Sequence, residues 1–187
     1  GSRPDMSVNP VFCAASILTN TATAWVNQIT AGRTVTLGVT SIQGGEAPNV
    51  IPDTADILGS LRFFNDEEGE KAVRIFKNVA EHTAAMNNCQ VQFDDRFCVL
   101  CAPVINDEYY SNLISAALPE VLLENVTVSS CEPWYASESF SCYRRICPSV
   151  LAHLGINNPS YGSGAAHHNG FFDVDEGVLS TGVIATL

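Results

Sequence analysis

The sequence predicts an α+β fold in which two helices cover one face of an antiparallel sheet. Three patterns predict it: a helical apolar stripe after Asn9-Pro10, two alternating apolar stretches between residues 34 and 64, and a second helical pattern after Asp66. A further alternating stretch from Cys89 to Phe93 gives the order α-β-β-α-β. One strand before residue 1 would complete the β-α-β-β-α-β unit of ferredoxin-like domains, which leaves the other sheet face or an edge open.

The first helix is predicted to begin at Asn9-Pro10, because Asn is a good N-cap and Pro suits the first helical position. We expect it to end at Ala31-Gly32. Its apolar residues recur at three- and four-residue steps and form one stripe: Val11, Ala15, Leu18, Ala22, Trp25, Val26 and Ile29.

Two strands are predicted next, from Thr34 to Gln43 and from about Ala55 to Phe64, because apolar and polar residues alternate in both stretches. Gly44-Gly45 ends the first strand. Pro48 and Pro52 follow within a few residues, which is typical of an ordered special loop rather than a plain hairpin turn.

The second helix is predicted to be capped by Asp66, with acidic residues in its first turn, where the helix dipole favours them. Asn87-Asn88 should end it before the third strand, at Cys89–Phe93. We expect its buried face to consist of Val73, Phe76, Val79, Ala80 and Thr83.

The sequence changes character from about Ala102, where no strong alternating pattern is found. A helix capped by Asn106 and a terminal helix from Asp175 are predicted, with loop-rich segments between them. His82 and His153 lie in helical stretches and are interpreted as structural. This part is typical of a piece of a larger α/β domain.

Composition excludes several classes of function. A net charge of −11 repels phosphate backbones, so nucleic acid is not an expected partner. No apolar run approaches the roughly 18 residues that a membrane span needs. Seven cysteines without framework spacing predict reduced thiols in a cytoplasmic protein. Cys98 and Cys101 form a C-x-x-C, which is either a zinc or redox motif or part of a buried strand around Phe97.

A few residues are candidates for chemistry. His167-His168, beside carboxylates, are plausible metal ligands or simply exposed histidines. Arg62, on an otherwise apolar strand, is either an edge residue or a fork for a substrate carboxylate. Asn49 could add an amide donor or serve only its turn, and Glu138 could act near a metal or begin a helix.

Four stretches, in order along nearly the whole chain, resemble motifs of the zinc aminoacylase/carboxypeptidase family, in particular hippurate hydrolase and indoleacetyl-amino-acid hydrolase. They are Gly1-Ser2-Arg3-Pro4-Asp5 through Asn9-Pro10, Gly44-Gly45 through Gly59-Ser60-Leu61-Arg62, Ala136-Ser137-Glu138-Ser139-Phe140-Ser141, and His167-His168 through Phe172-Asp173-Val174-Asp175-Glu176. Ser139 replaces the usual Asp of the third motif, which puts a ligand role at that position in doubt.

The resemblance implies a ferredoxin-like lid, or dimerisation, domain at residues 1–101, without its first strand. Residues 102–187 would be the C-terminal part of an α/β metallohydrolase domain. His168 aligns with a metal ligand, with His167 as the alternative. Asn49 and Arg62 align with lid residues that hold the substrate carboxylate, and Glu138 lies in the motif near the metals.

The implied activity is hydrolysis of an amide bond next to a free carboxylate, in an N-acyl amino acid or small peptide. Two divalent ions would be the cofactors, zinc first, with manganese or cobalt as alternatives, and the enzyme would be a homodimer joined through the lid. Because the other metal ligands belong to an upstream segment, this chain alone is expected to be inactive. Two alternatives stay open: a non-enzymatic ferredoxin-like interaction domain, and an N-carbamoyl or ureido amidohydrolase.

Overall fold

The computed structural model describes residues 2–94, 101–122 and 126–187. The chain divides into two compact units. Unit 1 comprises Gly1–Pro103 and Tyr135–Ser141, and unit 2 comprises Val104–Trp134 and Cys142–Leu187. Within the described ranges, no helix has both the length and the apolar character needed to cross a membrane. The predicted strand around Phe97, with Cys98, lies outside the described residues.

Helix α1 of unit 1 spans Pro10–Gln28 and follows a short 3-10 turn at Pro4–Met6. Its predicted start is confirmed, because Oδ1 of Asn9 accepts hydrogen bonds from the backbone N–H groups of Val11 and Phe12, at 3.0 and 3.4 Å. The helix ends three residues before the predicted Ala31-Gly32.

The buried face of α1 differs from the predicted stripe. Val26 is 85% exposed, and Ala15 and Ala22 are also exposed. Apolar residues occupy much of the circumference of this helix, so periodicity alone did not select the face that packs. The buried residues are Cys13, Ala14, Ile17, Thr21 and Ala24.

Strands β1 (Val35–Gln43) and β2 (Asp56–Phe63) form an antiparallel two-stranded ribbon, and both were predicted. Val35 pairs with Phe63, and the register shifts by one residue between Val39 and Ser41. Helix α2 (Asp66–Met86) then returns along the ribbon. The predicted α+β class, an antiparallel sheet with helices, is confirmed.

The N-cap of α2 is Asn65, not Asp66 as predicted. Oδ1 of Asn65 accepts a hydrogen bond from the backbone N–H of Glu68 at 3.0 Å. Asp66 is instead the first helical residue, where its charge still suits the helix dipole. The helix ends before Asn87-Asn88, as predicted, and Asn88 adopts a positive φ of 55°.

Helices α1 and α2 pack together through mostly small residues. Cys13 and Ile17 of α1 meet Ala80 and Ala84 of α2, and Ile57 of the ribbon packs against this cluster. Burial raises the pKa of the Cys13 thiol to about 11, so this group stays neutral in the core. Of the predicted α2 face, Ala80 and Thr83 are buried, whereas Val73, Phe76 and Val79 are partly exposed.

Two side-chain hydrogen bonds fix this packing. Nδ2 of Asn20 on α1 donates to Oγ1 of Thr83 on α2 at 3.0 Å. Nε1 of Trp25 donates to the backbone oxygen of Val35 at 3.1 Å, which joins the end of α1 to the start of β1. These two polar side chains are therefore paired, whereas the buried hydroxyl of Thr21 on α1 has no hydrogen-bond partner among the described residues.

The prediction of a strand at Cys89–Phe93 is wrong, because the structure has no strand there. Val91 and Phe93 pack against the α1–α2 core, so the apolar alternation was read correctly. The described residues contain no strand that pairs with this segment. An alternating segment becomes a β-strand only when a neighbouring strand satisfies its backbone groups.

Unit 2 contains helices α3 (Glu108–Val121) and α4 (Leu179–Thr186) and short 3-10 turns at Pro159–Tyr161 and Glu176–Val178. The N-cap of α3 is Asp107, not the predicted Asn106. The side chain of Asn106 instead donates to the backbone oxygen of Leu151 at 2.9 Å and accepts from its backbone N–H at 2.8 Å. His153 was predicted in a helix but lies in an irregular segment. The predicted terminal helix is confirmed, with Asp175 capping its leading turn.

Few residues of unit 2 are buried. Among its described residues, only Ser163 is less than 9% exposed. Both helices leave large apolar side chains open to solvent: Tyr109, Tyr110, Leu113, Ile114 and Val121 on α3, and Leu179, Val183 and Ile184 on α4. Hydrogen-bonded turns, rather than an apolar core of its own, define the local structure of this unit.

Hydrogen bonds of Glu68 join the connection between α1 and β1 to the first turn of α2. Its carboxylate accepts hydrogen bonds from Oγ1 and the backbone N–H of Thr30, at 2.6 and 3.4 Å, and lies 3.8 Å from Nζ of Lys71. The hydrogen bond from Thr30 is the main reason that the pKa of Glu68 is lowered from its ordinary value of 4.5.

A group whose pKa is lowered by folding stabilises the folded state above its unfolded-state pKa and loses that contribution as the pH falls through the folded value. We therefore predict that Glu68→Gln lowers the free energy of unfolding at neutral pH and flattens its decline as the pH falls below about 4.5. Urea unfolding at several pH values measures this. Glu81→Gln, at an exposed position of the same helix, is the control and should keep the parental pH dependence.

Candidate functional site

The loop between β1 and β2 is ordered by its glycines and prolines, as predicted. The backbone N–H of Val50 donates to the carbonyl of Ala47 at 3.3 Å, which closes a turn with Pro48 and Asn49 at its centre. A Cβ on Gly44 would lie 3.1 Å from a methyl of Val11, so the loop lies directly against the start of α1. Asn49 is therefore exposed on a turn that α1 supports.

A groove of about 390 Å³ is lined by this loop and by the first turn of α1. Asn9, Val11 and Phe12 line one side, and loop residues 44–48 and 50–52 line the other. Phe12 and Val50 are 71% and 60% exposed, so the groove has an apolar rim.

Arg62 lies on the ribbon face opposite to the helices. Its strand neighbour Phe63 packs over Gly69 of α2, where a Cβ would come within 2.6 Å of the phenyl ring. Side chains alternate along a strand, so Arg62 shares the other face with Thr36, its partner on β1. It is half-buried, and its Nη1 donates to the carbonyl of Leu61 at 3.5 Å. No ion pair joins its guanidinium to any residue that the structure describes.

Asn49 and Arg62 lie toward opposite ends of the ribbon. β2 leaves the Asn49 loop at Asp56 and reaches Arg62 six residues later, an advance of about 20 Å at strand geometry. At the Arg62 end, Val35 receives the hydrogen bond from Trp25, whereas the Asn49 loop contacts the first turn of α1. The two predicted carboxylate-binding residues are therefore not neighbours along the ribbon.

Glu138 lies in the Tyr135–Ser141 segment, which belongs to unit 1. The ring of Tyr135 meets Phe64 edge to face, with centroids 4.9 Å apart. Glu138 is half-buried, and its backbone carbonyl accepts a hydrogen bond from the N–H of Ser141 at 3.2 Å. Ser139, in place of the motif's usual Asp, is exposed at the start of the 3-10 helix Ser139–Arg145.

Ser141 is 1% exposed, and its hydroxyl has no hydrogen-bond partner within the described ranges. An unpaired buried hydroxyl costs about 1–3 kcal/mol. Nothing in the sequence distinguished this serine from its neighbours.

His167 and His168 of unit 2 have different environments. The ring of His167 meets Trp134 and Phe172 edge to face, with centroids 5.6 and 5.1 Å away. His168 is exposed, and its backbone is left-handed, with φ at 62°. Its side chain makes no hydrogen bond, ion pair or ring contact with the residues described.

The acidic stretch after the histidines is held by local hydrogen bonds. Nδ2 of Asn158 donates to Oδ2 of Asp175 at 2.6 Å, and the Asp175 backbone N–H donates to the carbonyl of Ile156 at 3.1 Å. The carboxylate of Asp175 is therefore already engaged.

In the ranges that the structure describes, no group of three or more His, Cys, Asp or Glu side chains is arranged to hold a metal ion. A zinc site needs three or four ligands. The predicted ligand His168 is exposed, and no second metal-ligating side chain is grouped with it and a third among these residues.

The structure thus assigns Asn49, Arg62 and Glu138 to unit 1, and both histidines to unit 2. Sequence reasoning missed the contacts that Trp134 makes with His153, at 5.0 Å, and with His167. The available signal was a tryptophan in a loop-rich segment, which does not identify its partners.

Comparison with known proteins matches residues 1–87 to the family described as M20_dimer, the peptidase dimerisation domain. The chain is 26% identical to thermostable carboxypeptidase 2 of Saccharolobus solfataricus over 99% of its length, which is 46% of the relative. It is 24% identical to an IAA-amino acid hydrolase of Arabidopsis thaliana over 96% of the chain and 41% of the relative. The chain therefore spans about half the length of the curated relatives that it matches.

A solved structure from Bacillus subtilis, described as a dinuclear metal-binding peptidase from the M20 family, superposes with a TM-score of 0.74 at 23% identity. The match covers 97% of this chain and 45% of that one. At this identity the similarity shows the fold.

Proposed function

Residues 1–87 are a peptidase dimerisation domain of the M20 family, as the motif resemblance predicted, and on this premise we propose that the chain is part of a metal-dependent amidohydrolase. The proposed reaction is hydrolysis of an amide bond next to a free carboxylate, in an N-acyl amino acid or small peptide. The observation that carries it is Arg62: a half-buried arginine on the ribbon face opposite to the helices, without an ion pair among the described residues.

Within this proposal, residues 1–101 act as the lid and residues 102–187 as the C-terminal part of the catalytic domain. The exposed apolar faces of α3 and α4 support the second assignment, because side chains of this kind are normally covered in a complete domain. The length of the relatives, about twice that of this chain, also supports it.

His168 is proposed as the single metal ligand that this chain contributes, since the ring of His167 is engaged by Trp134 and Phe172. A pair of divalent ions, zinc or alternatively manganese or cobalt, would supply an activated water and polarise the amide carbonyl. Glu138, half-buried in its motif, is proposed to act near that centre. We propose that the remaining ligands come from a segment outside these 187 residues.

A planar guanidinium binds a carboxylate through two parallel hydrogen bonds, which orients the substrate as well as holding it. Arg62 is proposed to do this on the open ribbon face. Asn49 lies in the loop at the other end of the same ribbon, so it is proposed to reach the same substrate from a second copy of the lid. Among the described residues, no third strand pairs with the ribbon, and the backbone edges of such a ribbon are suited to this association.

The proposal that these 187 residues supply only one metal ligand is tested in two ways. Zinc is titrated into the chain in a calorimeter, and hydrolysis of N-acyl amino acids is assayed. We expect weak binding and no turnover, because one imidazole cannot hold a metal pair. A longer polypeptide that adds the upstream segment should bind two zinc ions and hydrolyse the substrate. Tight two-zinc binding and turnover by the 187-residue chain itself would refute this part of the proposal.

Dimerisation is tested by light scattering on the whole chain over a range of concentrations. We expect a particle of twice the 20.1 kDa chain mass. A monomer that persists at the highest concentrations would contradict association through the lid.

Arg62→Ala in the longer, active polypeptide should raise KM at least about tenfold, because a lost charge-assisted hydrogen bond costs about 1.5–3 kcal/mol. Steady-state kinetics on a substrate with a free carboxylate measures this, and the corresponding amide, which lacks the charge, should respond far less. Arg74→Ala, at an exposed position of α2, is the matched control. An unchanged KM would remove the carboxylate-binding role of Arg62.

A further inference from the structure

An aromatic cluster in unit 2 surrounds the residue that precedes His168. The ring of His167 lies between Trp134 and Phe172, and both contacts are nearly perpendicular, with interplanar angles of 88°. Aromatic rings prefer this arrangement because the positive edge of one ring meets the negative face of another. We call Trp134, His167 and Phe172 the His167 clamp; His153 contacts Trp134 from a further position, at 5.0 Å.

The residue that follows the clamp has an unusual backbone. His168 has a φ of 62°, one of two non-glycine residues with positive φ in the described ranges. Such a conformation is uncommon outside glycine, although histidine is among the residue types that adopt it more readily. Contacts of the neighbouring residues stabilise it where it occurs in a folded chain.

On the downstream side the holding group is Asn169. Its Oδ1 accepts a hydrogen bond from the backbone N–H of Phe171 at 2.9 Å, and its carbonyl accepts one from the N–H of Phe172 at 3.0 Å. This tight turn returns the ring of Phe172 to His167. On the upstream side the neighbouring residue is His167. Within the described ranges, its ring is held by the contacts with Trp134 and Phe172.

We propose that His167 is a positioning residue: its clamped ring holds the backbone of His168 in the left-handed conformation and leaves the His168 imidazole clear to bind a divalent metal. The clamp contacts are ring contacts, and the His167 side chain makes no hydrogen bond with the described residues. A phenyl ring should therefore replace His167, whereas a methyl group should not. The metal part of this inference rests on the proposed function; the backbone part does not.

The first experiment uses the 187-residue chain without metal. NMR reports a positive φ as a strong cross-peak between the amide proton and Hα of the same residue. We expect this signal at His168 in the parent chain and in His167→Phe, and its loss in His167→Ala and in Phe172→Leu, which removes the second ring at nearly constant apolar volume. If the positive-φ signal of His168 persists in both His167→Ala and Phe172→Leu, the clamp does not hold this backbone and the inference is wrong.

The second experiment measures zinc affinity, by competition with a chelator, in the longer polypeptide. His167→Phe should bind zinc within about twofold of the parent and His167→Ala about tenfold more weakly, as expected for groups that orient a ligand. If His167→Phe loses zinc as completely as His168→Ala, His167 is itself a ligand and the inference is wrong. Unimpaired zinc binding by His168→Ala would instead overturn the metal role in the proposed function, while the NMR result still decides the clamp.

Discussion

The close packing of α1 and α2 against one face of the β1–β2 ribbon is the constraint on which unit 1 depends. Ala80 and Ala84 allow α2 to approach Cys13 and Ile17 of α1, so little space remains between the helices. Because the helices take the face that carries Phe63, Arg62 is placed on the open face. An arginine is acceptable there, since this face is opposite to the helix core and a long side chain can bury its stem while its charged group stays outside the core.

The same packing separates the two residues proposed to bind substrate. The end of α1 is joined to Val35 by the Trp25 hydrogen bond, and its beginning supports the Asn49 loop. The helix therefore holds the two ends of the ribbon apart at a fixed distance. A rigid spacer of this kind suits a domain that presents one group to each of two sites, which is how we relate the lid geometry to the proposed homodimer.

Unit 2 is built in a different way. Its order comes from side-chain hydrogen bonds between loops, such as those of Asn106 with Leu151 and of Asn158 with Asp175, and from the ring contacts of His167. Large apolar side chains stay exposed on both of its helices. No group of three or more His, Cys, Asp or Glu side chains that could hold a metal ion occurs among the described residues.

The sequence by itself determined α1, α2, β1, β2 and the family resemblance, because caps, periodicity and motif order are local properties of the chain. It was less reliable where neighbouring residues could do the same task, so Asn65 and Asp107 cap their helices instead of Asp66 and Asn106. Only the tertiary structure decided which face of α1 is buried, that Cys89–Phe93 has no strand partner, and that the ring of His167 is engaged while that of His168 is not. These features depend on contacts between residues far apart in sequence, which no local pattern specifies.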